Sequence, residues 1–363
     1  MTEPLRLTDL SEGILRTTFR HWARVARRTT KTATEFMAAL PGDVIRALRP
    51  PAAPLRLESG IQSHADATRI ALYVHYSPTG RISDMVRRQL ALLGQSGFAI
   101  VFISMAARIP ESDWQAVRRL CALVVQRQNF GLDFGAWHDL LPEVKRRWPI
   151  PDELMLVNDS VLGPIHPLAP VIETMRAGGD GFFGLTENLE GGPHLQSYML
   201  LARGKAAVGD LMHFVQRLHI SGSKWVLIQR GELRLARWMR RRGHRVAAVF
   251  GYARLVRAAV AEGAERKRLS EAHGRLGGLE RLSDEEATAL LYRWPLSPMH
   301  HMWHLLATRF GGPFLKTELI LRNPWRMPGV EDWPTVIPLD APCPVAVIQA
   351  HLETLKPSAQ QEP

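Results

Sequence analysis

Hydrophobic and polar positions follow two different periods along this chain, and the periods predict its secondary structure. Short, uninterrupted apolar runs are typical of strands buried on both faces. They occur at residues 70–76, 98–103, 123–125 and 154–157. Between them, in 83–94 and 114–120, apolar residues recur every three to four positions, which predicts helices. Strands alternating with helices at short intervals predict a mainly parallel α/β sheet with helices on both faces.

The N-terminal stretch has a helical period and is basic. From Gly13 to Arg28 one helical face carries the apolar side chains and the other faces carry arginines. The apolar positions are Leu15, Phe19, Trp22 and Ala26. One interpretation is an interfacial helix on anionic lipid headgroups, and the other is a helix packed on its own domain with a solvated basic face.

Changes in composition divide the chain into three parts. The proline-rich segment 49–54 predicts a stiff linker after the basic helix. We therefore expect a basic helical segment at 1–57, an α/β domain at 58–254 and a helical C-terminal extension at 255–363.

Composition excludes several classes of protein. Of the 363 residues, 46% are hydrophobic and 22% charged, so a packed core is expected and a disordered chain is not. Cysteine occurs only at Cys121 and Cys343, which offers neither a disulfide framework nor a cysteine-based zinc site. No apolar run is long enough to span a bilayer, and the first residues lack a signal-peptide pattern, so a cytoplasmic location is expected.

The net charge of +11 predicts an anionic partner. Nucleic acid, anionic lipid and a nucleotide diphosphate all satisfy that prediction. The basic residues are spread over several segments without a recognised DNA- or RNA-binding motif, so we expect no nucleic-acid partner.

Polar residues follow the predicted strands, at the edge where parallel sheets bind ligands. The first strand leads into His75, Tyr76 and Ser77, and the second into Ser104. The third leads into residues 127–135 and the fourth into 158–160. Neither a Gly-x-Gly-x-x-Gly fingerprint nor a phosphate-binding P-loop occurs, which disfavours a dinucleotide dehydrogenase or a P-loop ATPase.

Asp159 is the first candidate for chemistry. Mg²⁺ prefers one or two carboxylates together with phosphate oxygens, and Asp159 follows a central strand. The alternative is that Asn158, Asp159 and Ser160 cap a helix or turn.

The loop after the third strand carries two further candidates. Arg127 could bind a phosphate bidentately, or it could form an ion pair with Asp133 or Asp139. Asp133 lies between Gly131 and Gly135, which allow close backbone approach to a ligand, so it could accept hydrogen bonds from sugar hydroxyls. Alternatively, Asp133 fixes the amides of its own loop.

Three more candidates lie near two later strands. His194 and Gln196 could contact sugar hydroxyls or phosphate, although a single histidine is more often structural. Glu187 follows the strand-like 182–185 and is either a catalytic base or a solvated loop acid.

His300 and His304 lie four residues apart on a predicted helix, a spacing that zinc ligands use. No His-Glu-x-x-His pattern is present and no third ligand is evident. We therefore do not expect zinc here.

Several segments together resemble the rhamnan synthesis protein F family. They are RQNFGLDFGAWHDLL from Arg127, ELMLVNDSVLGPIHPL from Glu153, GFFGLTEN from Gly181, HLQSYMLL from His194, and GGPFLKTELILRNP from Gly311, followed by Trp333. The resemblance extends over about residues 70–333.

This resemblance implies a glycosyltransferase of bacterial cell-envelope polysaccharide or lipopolysaccharide synthesis. It implies a nucleotide-sugar donor such as dTDP-rhamnose, a glycan or lipid-linked acceptor, and peripheral contact with the inner membrane. The order of elements is similar to the GT-A fold, a Rossmann-like nucleotide-sugar domain. In that fold Asn158-Asp159-Ser160 occupies the place of an Asp-x-Asp metal motif, so Asp159 would bind Mg²⁺ or Mn²⁺ with a single carboxylate.

The same similarity assigns roles to further residues. Glu232 opens a later helix and is a candidate base, or else a first-turn acid that complements the helix dipole. The expected catalytic residues are Asp159, Glu232 and Glu187. The expected donor-binding residues are Arg127, Asn129, Gly131, Asp133, Asn158, Ser160, His194 and Gln196. The alternative function is a non-catalytic glycan-binding or assembly subunit, which the single carboxylate at the metal position would favour.

Overall fold

The computed structural model describes residues 3–11, 19–47, 54–62 and 64–356. Its strands are β1 (Thr8–Asp9), β2 (Arg56–Ser59), β3 (Arg69–His75), β4 (Ala99–Ser104), β5 (Leu123–Gln126), β6 (Glu153–Asn158), β7 (Val161–Leu162), β8 (Gly181–Asn188), β9 (His194–Leu195), β10 (Met199–Arg203), β11 (Val246–Phe250) and β12 (Leu315–Lys316).

The helices cover both faces of the sheet and both ends of the chain. They are α1 (Phe19–Ala47), α2 (Asp84–Gln95), α3 (Glu111–Arg118), α4 (Leu132–Arg147), α5 (Ala169–Arg176), α6 (Lys205–Gln216), α7 (Lys224–Arg230), α8 (Glu232–Arg241), α9 (Tyr252–Ala261), α10 (Gly263–Ala272), α11 (Asp284–Arg293), α12 (Pro298–His301), α13 (Trp303–Thr308), α14 (Thr317–Arg322) and α15 (Val345–Thr354).

The central sheet has the strand order β1-β11-β8-β10-β6-β3-β4-β5-β2. Strands β6, β3, β4 and β5 pair in parallel, as do β11 and β8. Strand β10 runs antiparallel between β6 and β8. The predicted α/β class with a mainly parallel sheet is confirmed. As a result β6, β3, β4, β5 and β8 all end at one edge, which is called the carboxyl edge here.

Strand β3 shows why the sheet is stable. Ala71 and Tyr73 face one hydrophobic cluster, and Ile70, Leu72 and Val74 face another. Alternate side chains point to opposite faces of a strand, so a run buried on both faces must be apolar throughout. Polar side chains are thereby confined to the strand ends.

The C-terminal residues 255–352 share the first of these clusters with the sheet. Phe310, which follows α13, packs edge-to-face on Phe250 of β11 with ring centroids 6.4 Å apart. Strand β12 pairs antiparallel with β7, so Lys316 stands opposite Val161. This pairing brings a segment near the C-terminus to the carboxyl edge of the sheet.

The N-terminal helix α1 packs on the loop before α7. Glu35 accepts a hydrogen bond from Ser223 Oγ at 2.8 Å, and Asp43 accepts the Gly222 amide at 2.9 Å. The side chains of the predicted apolar stripe of 15–26 and the predicted linker residues 49–53 lie outside the described part of the chain. None of the described helices is long and apolar enough to cross a membrane.

Because one core joins the sheet to the C-terminal residues, we predict that Phe310→Ala destabilises the whole chain. Only 1% of Phe310 is exposed, and removing a buried phenyl ring costs about 3–5 kcal/mol. Urea denaturation followed by circular dichroism should give one transition at lower urea. Leu321→Ala, at a 42% exposed position of α14, is the control and should change little. Two separate transitions in Phe310→Ala would show that the C-terminal residues fold independently.

Candidate functional site

Asn158, the last residue of β6, joins two loops at the carboxyl edge. Its Nδ2 donates to Asp133 Oδ2 at 2.7 Å. Its Oδ1 accepts from the backbone amide of Ser160 at 3.2 Å and from Ser160 Oγ at 2.5 Å. Asn158 is buried, and these bonds fix the loop after β6 against the start of α4.

Asp133 lies in the first turn of α4, after two residues with left-handed backbone. Gly131 has φ +73° and Leu132 has φ +50°, and this conformation is strained for leucine. A Cβ at Gly131 would lie 2.2 Å from Ile220 Cγ2, so protein atoms already fill the space expected for a ligand at this glycine. Burial raises the pKa of Asp133 to about 6.

Asp159 lies beside Asp133 on the other loop. Its Oδ2 accepts the Tyr76 amide at 2.7 Å, and its own amide donates to Val74 O at 3.1 Å. Burial raises the pKa of Asp159 to about 8, and the negative charge of Asp133 adds to this, while the bond from Tyr76 opposes it. The two aspartates therefore interact electrostatically across the edge of β6.

Glu232, the first residue of α8, accepts a hydrogen bond from Ser197 Oγ at 2.8 Å. His194 Nε2 lies 3.5 Å from Glu232 Oε1. His194 Nδ1 is 2.8 Å from Gly192 O, and since a carbonyl can only accept, Nδ1 carries the hydrogen. Burial alone would raise the pKa of Glu232, but the contacts with His194 and Ser197 outweigh it and the pKa is lowered. Glu232 is thus an ionised carboxylate.

Two lysines and a histidine, none of them predicted as site residues from the sequence, also belong to this cluster. Lys316 Nζ donates to Ser160 Oγ at 2.9 Å. Lys316 interacts electrostatically with Asp133 and Glu232, and so does Lys224 with Asp133. Burial lowers the pKa of Lys316. Lys316 and Ser197 lie inside segments that resemble the family, and this resemblance could have indicated them as site residues. Lys224 lies outside those segments.

His300 lies next to these lysines. Its Nδ1 is 3.1 Å from Ser297 Oγ, and burial together with Lys316 and Lys224 lowers its pKa to about 4. Helix α12 ends at His301 and α13 begins at Trp303. The prediction that His300 and His304 share one helix is therefore wrong, because the helical conformation is interrupted at Met302.

Arg127 forms contacts within its own loop. It donates to Phe130 O at 3.1 Å and forms an ion pair with Asp139. Of the alternatives left open by the sequence, the structure has the ion pair with Asp139. Asn129 is exposed on the same loop.

Glu187 is fully buried, and both of its carboxylate oxygens accept backbone amides. Oε1 accepts the Ser11 amide at 2.6 Å and Oε2 the Tyr252 amide at 2.9 Å. Burial raises its pKa, although these two bonds oppose the rise. The structure therefore has Glu187 holding the N-terminal segment and the start of α9, not facing solvent in a loop.

Gln196 is also used inside the protein. Thr186 Oγ1 donates to Gln196 Oε1 at 2.8 Å, and the backbone N–H of Gln196 donates to Thr186 O at 3.1 Å. Of the predicted donor-binding residues, the structure brings together Asp133, Asn158 and Ser160 with Asp159, and His194 with Glu232.

A cleft of about 350 Å³ lies at the opposite edge of the sheet, beside the start of β3. Its arginines, Arg69 and Arg176, both pair with the buried Glu153, at 3.8 and 2.8 Å. Arg176 also pairs with Glu173 at 2.8 Å. Both arginines therefore have carboxylate partners within the protein.

The residues around Asp159 do not fit a divalent cation. One oxygen of Asp159 accepts the Tyr76 amide, Asp133 is bound by Asn158, and the Lys316 ammonium lies beside both loops. Within the residues that the structure describes, no three His, Cys, Asp or Glu side chains are grouped so that they could hold a metal ion. A metal would also face repulsion from the ammonium.

The family model described as Rhamnan synthesis protein F matches residues 100–250. This confirms the resemblance drawn from the sequence motifs, over a narrower span. All the predicted site residues lie inside that span and Lys316 lies outside it.

Two known proteins resemble parts of the chain. The uncharacterised protein y4gN of Sinorhizobium fredii is 25% identical over 187 residues, which are 50% of this chain and 48% of that protein. The chain thus spans about half the length of this curated relative. A crystal structure of a candidate nucleotide-diphospho-sugar transferase from Desulfovibrio desulfuricans G20 covers 51% of this chain and 79% of its own, with 12% identity and a TM-score of 0.29. A likeness at this TM-score supports no conclusion about activity.

The raised pKa of Asp159 predicts a pH-dependent gain from Asp159→Asn. Between the ordinary aspartate pKa of 3.8 and about 8, the folded state holds a proton that the unfolded state has lost. This group therefore lowers stability as pH rises through that window. Asparagine cannot ionise, so the stability of the variant relative to the wild-type chain should increase from about pH 5 to about pH 8. Urea denaturation at both pH values measures this.

The exposed Asp332→Asn is the matched control and should show no such trend. An equal difference between Asp159→Asn and the wild-type chain at both pH values would contradict the prediction.

The contacts of Glu187 predict a structural loss. Glu187→Ala leaves two amides in the interior without their carboxylate acceptor, which should cost about 3 kcal/mol of unfolding free energy. Urea denaturation checks this, with Glu271→Ala on the exposed face of α10 as the control. Unchanged stability in Glu187→Ala would favour the catalytic role that the sequence suggested for this residue.

Proposed function

We propose that this chain is a glycosyltransferase that moves a sugar from a nucleotide-sugar donor to a growing cell-surface polysaccharide. One observation carries the proposal. Asp133, Asp159 and Glu232 converge at the carboxyl edge of a mainly parallel sheet, within the span that matches the rhamnan synthesis family. This edge is where α/β sheets bind nucleotides, and the sheet order supports assignment to the GT-A type.

Glu232 is the proposed general base. The acceptor hydroxyl oxygen attacks the anomeric carbon while its proton passes to Glu232, and the bond from that carbon to the diphosphate oxygen breaks. The nucleoside diphosphate leaves with the bonding electron pair. Glu232 suits this role because it is ionised, and His194 and Ser197 hold its carboxylate in place.

The donor would lie on the opposite side of the cluster, over Asp133 and Asp159. Asp133 can accept hydrogen bonds from ribose or sugar hydroxyls, and Asn158 fixes its orientation. With a pKa near 8, Asp159 holds a proton at neutral pH and can donate one hydrogen bond to a donor oxygen. The family match makes dTDP-rhamnose the first donor to test.

The acceptor is proposed to be lipid-linked, at the inner face of the cytoplasmic membrane. Helix α8 supports this, because it begins at Glu232 and carries four exposed arginines along its length. They are Arg234, Arg237, Arg240 and Arg241. Such a face attracts anionic headgroups and lipid diphosphates.

We predict that one nucleotide sugar stabilises the chain against heat, in a saturable manner. A panel including dTDP-rhamnose, UDP-sugars and GDP-sugars should reveal it by differential scanning fluorimetry. Asp133→Ala should abolish the shift, because it removes a donor contact. Glu232→Gln should keep the shift and lose sugar transfer, measured as release of nucleoside diphosphate in the presence of acceptor glycan.

Asp332→Asn is the control and should behave as the wild-type chain. If no donor shifts the wild-type chain, the glycosyltransferase proposal fails. Stabilisation by surface glycan alone would then favour a non-catalytic glycan-binding or assembly subunit.

A further inference from the structure

Lys316 is the feature that the proposed reaction does not yet use. It comes from β12, more than 150 residues after Asp159 in the chain, and the pairing of Lys316 with Val161 sets it against the loop that carries Asp159. Its ammonium donates to Ser160 Oγ at 2.9 Å. Lys316 is thus distant from Asp159 in sequence but lies beside its loop. The diphosphate of a donor bound over Asp159 would need positive charge at this place.

The charges around Lys316 are of both signs, and Glu318 also interacts with it electrostatically. Lys316 interacts with Asp133 and Glu232, and Lys224 at the start of α7 interacts with both Asp133 and Lys316. Both ammonium groups are therefore close enough to Asp133 to interact with it electrostatically. Ser160 holds Lys316 by a neutral hydroxyl, so the ammonium keeps two further hydrogens for other acceptors.

The 158–160 loop has a single carboxylate, which favours a side-chain cation over a metal ion as the group that balances a diphosphate. A nucleotide-sugar diphosphate carries about two negative charges that grow on the leaving group as the glycosidic bond breaks, and a cation must balance them. Asp159 already accepts the Tyr76 amide, and the residues of the cluster do not fit a divalent ion.

We propose that Lys316, supported by Lys224, binds the diphosphate of the donor and takes the place of a divalent metal ion in this site. This inference rests on the proposed function and deepens it. The two ammonium groups neutralise the departing nucleoside diphosphate, and Ser160 positions Lys316 for that contact. The chain therefore binds and turns over its donor without Mg²⁺ or Mn²⁺.

Calorimetric titration of the full chain with a nucleoside diphosphate tests the proposal. The titration is done with excess EDTA and again with Mg²⁺ or Mn²⁺, using dTDP, UDP and GDP as probes. For any nucleoside diphosphate that binds, we expect the same affinity in EDTA as in Mg²⁺ or Mn²⁺. Lys316→Met should weaken diphosphate binding by about tenfold or more, the value of a hydrogen bond to a charged group. The affinity for the corresponding nucleoside should not change.

Lys316→Arg keeps the charge and should retain most of the affinity, which guards against a mere folding defect in Lys316→Met. Lys205→Met, at an exposed lysine of α6, is the matched control and should bind as the wild-type chain. Binding that requires a metal, or unaltered binding in Lys316→Met, overturns the assignment of Lys316 while the donor site stands. A wild-type chain that binds no nucleoside diphosphate overturns both this inference and the proposed function.

Discussion

Burial of the central strands on both faces is the constraint on which the rest of this structure depends. With Ile70, Leu72 and Val74 in one cluster and Ala71 and Tyr73 in the other, a polar group inside the sheet would lose its hydrogen bonds to water. Polar side chains are therefore displaced to the strand ends. Because the parallel strands end at one edge, those side chains meet there.

Burial of several carboxyl groups close together creates a second requirement, which is positive charge nearby. Asp133 and Glu232 repel one another when both are ionised, unless positive charge lies near them. Burial raises the pKa of both aspartates, whereas His194 and Ser197 keep the pKa of Glu232 low. Lys316, which lies after residue 255, brings positive charge to this cluster. The residues after 255 are thus part of the site as well as part of the core.

A place at the carboxyl edge does not by itself make a residue functional. His75 and Ser104 end neighbouring strands, yet they lie opposite each other in register and bind one another, Nδ1 to Oγ, at 3.0 Å. Glu187 ends β8 and is fully occupied by two backbone amides. Arg127 pairs with Asp139. In each case groups of the chain itself take hydrogen bonds of these side chains. The catalytic role of Glu187 and the donor-binding role of Arg127 stay predictions.

The sequence by itself determined the α/β class, the central strands and the loops that carry Asp133, Asn158 and Asp159, because apolar period and strand ends are local properties of the chain. Its ordered motifs also indicated the resemblance to the rhamnan synthesis protein F family, whose model matches residues 100–250. Only the tertiary structure showed that both carboxylate oxygens of Glu187 accept backbone amides, whereas Asp133, Asp159 and Glu232 lie in one cluster at the carboxyl edge. It alone brought Lys316 and Lys224 to the site, since the pairing of β12 with β7 joins segments that no local period relates. The interaction between buried charges depends on the distance between them in the folded chain, and a pattern of residues along the sequence does not contain that distance.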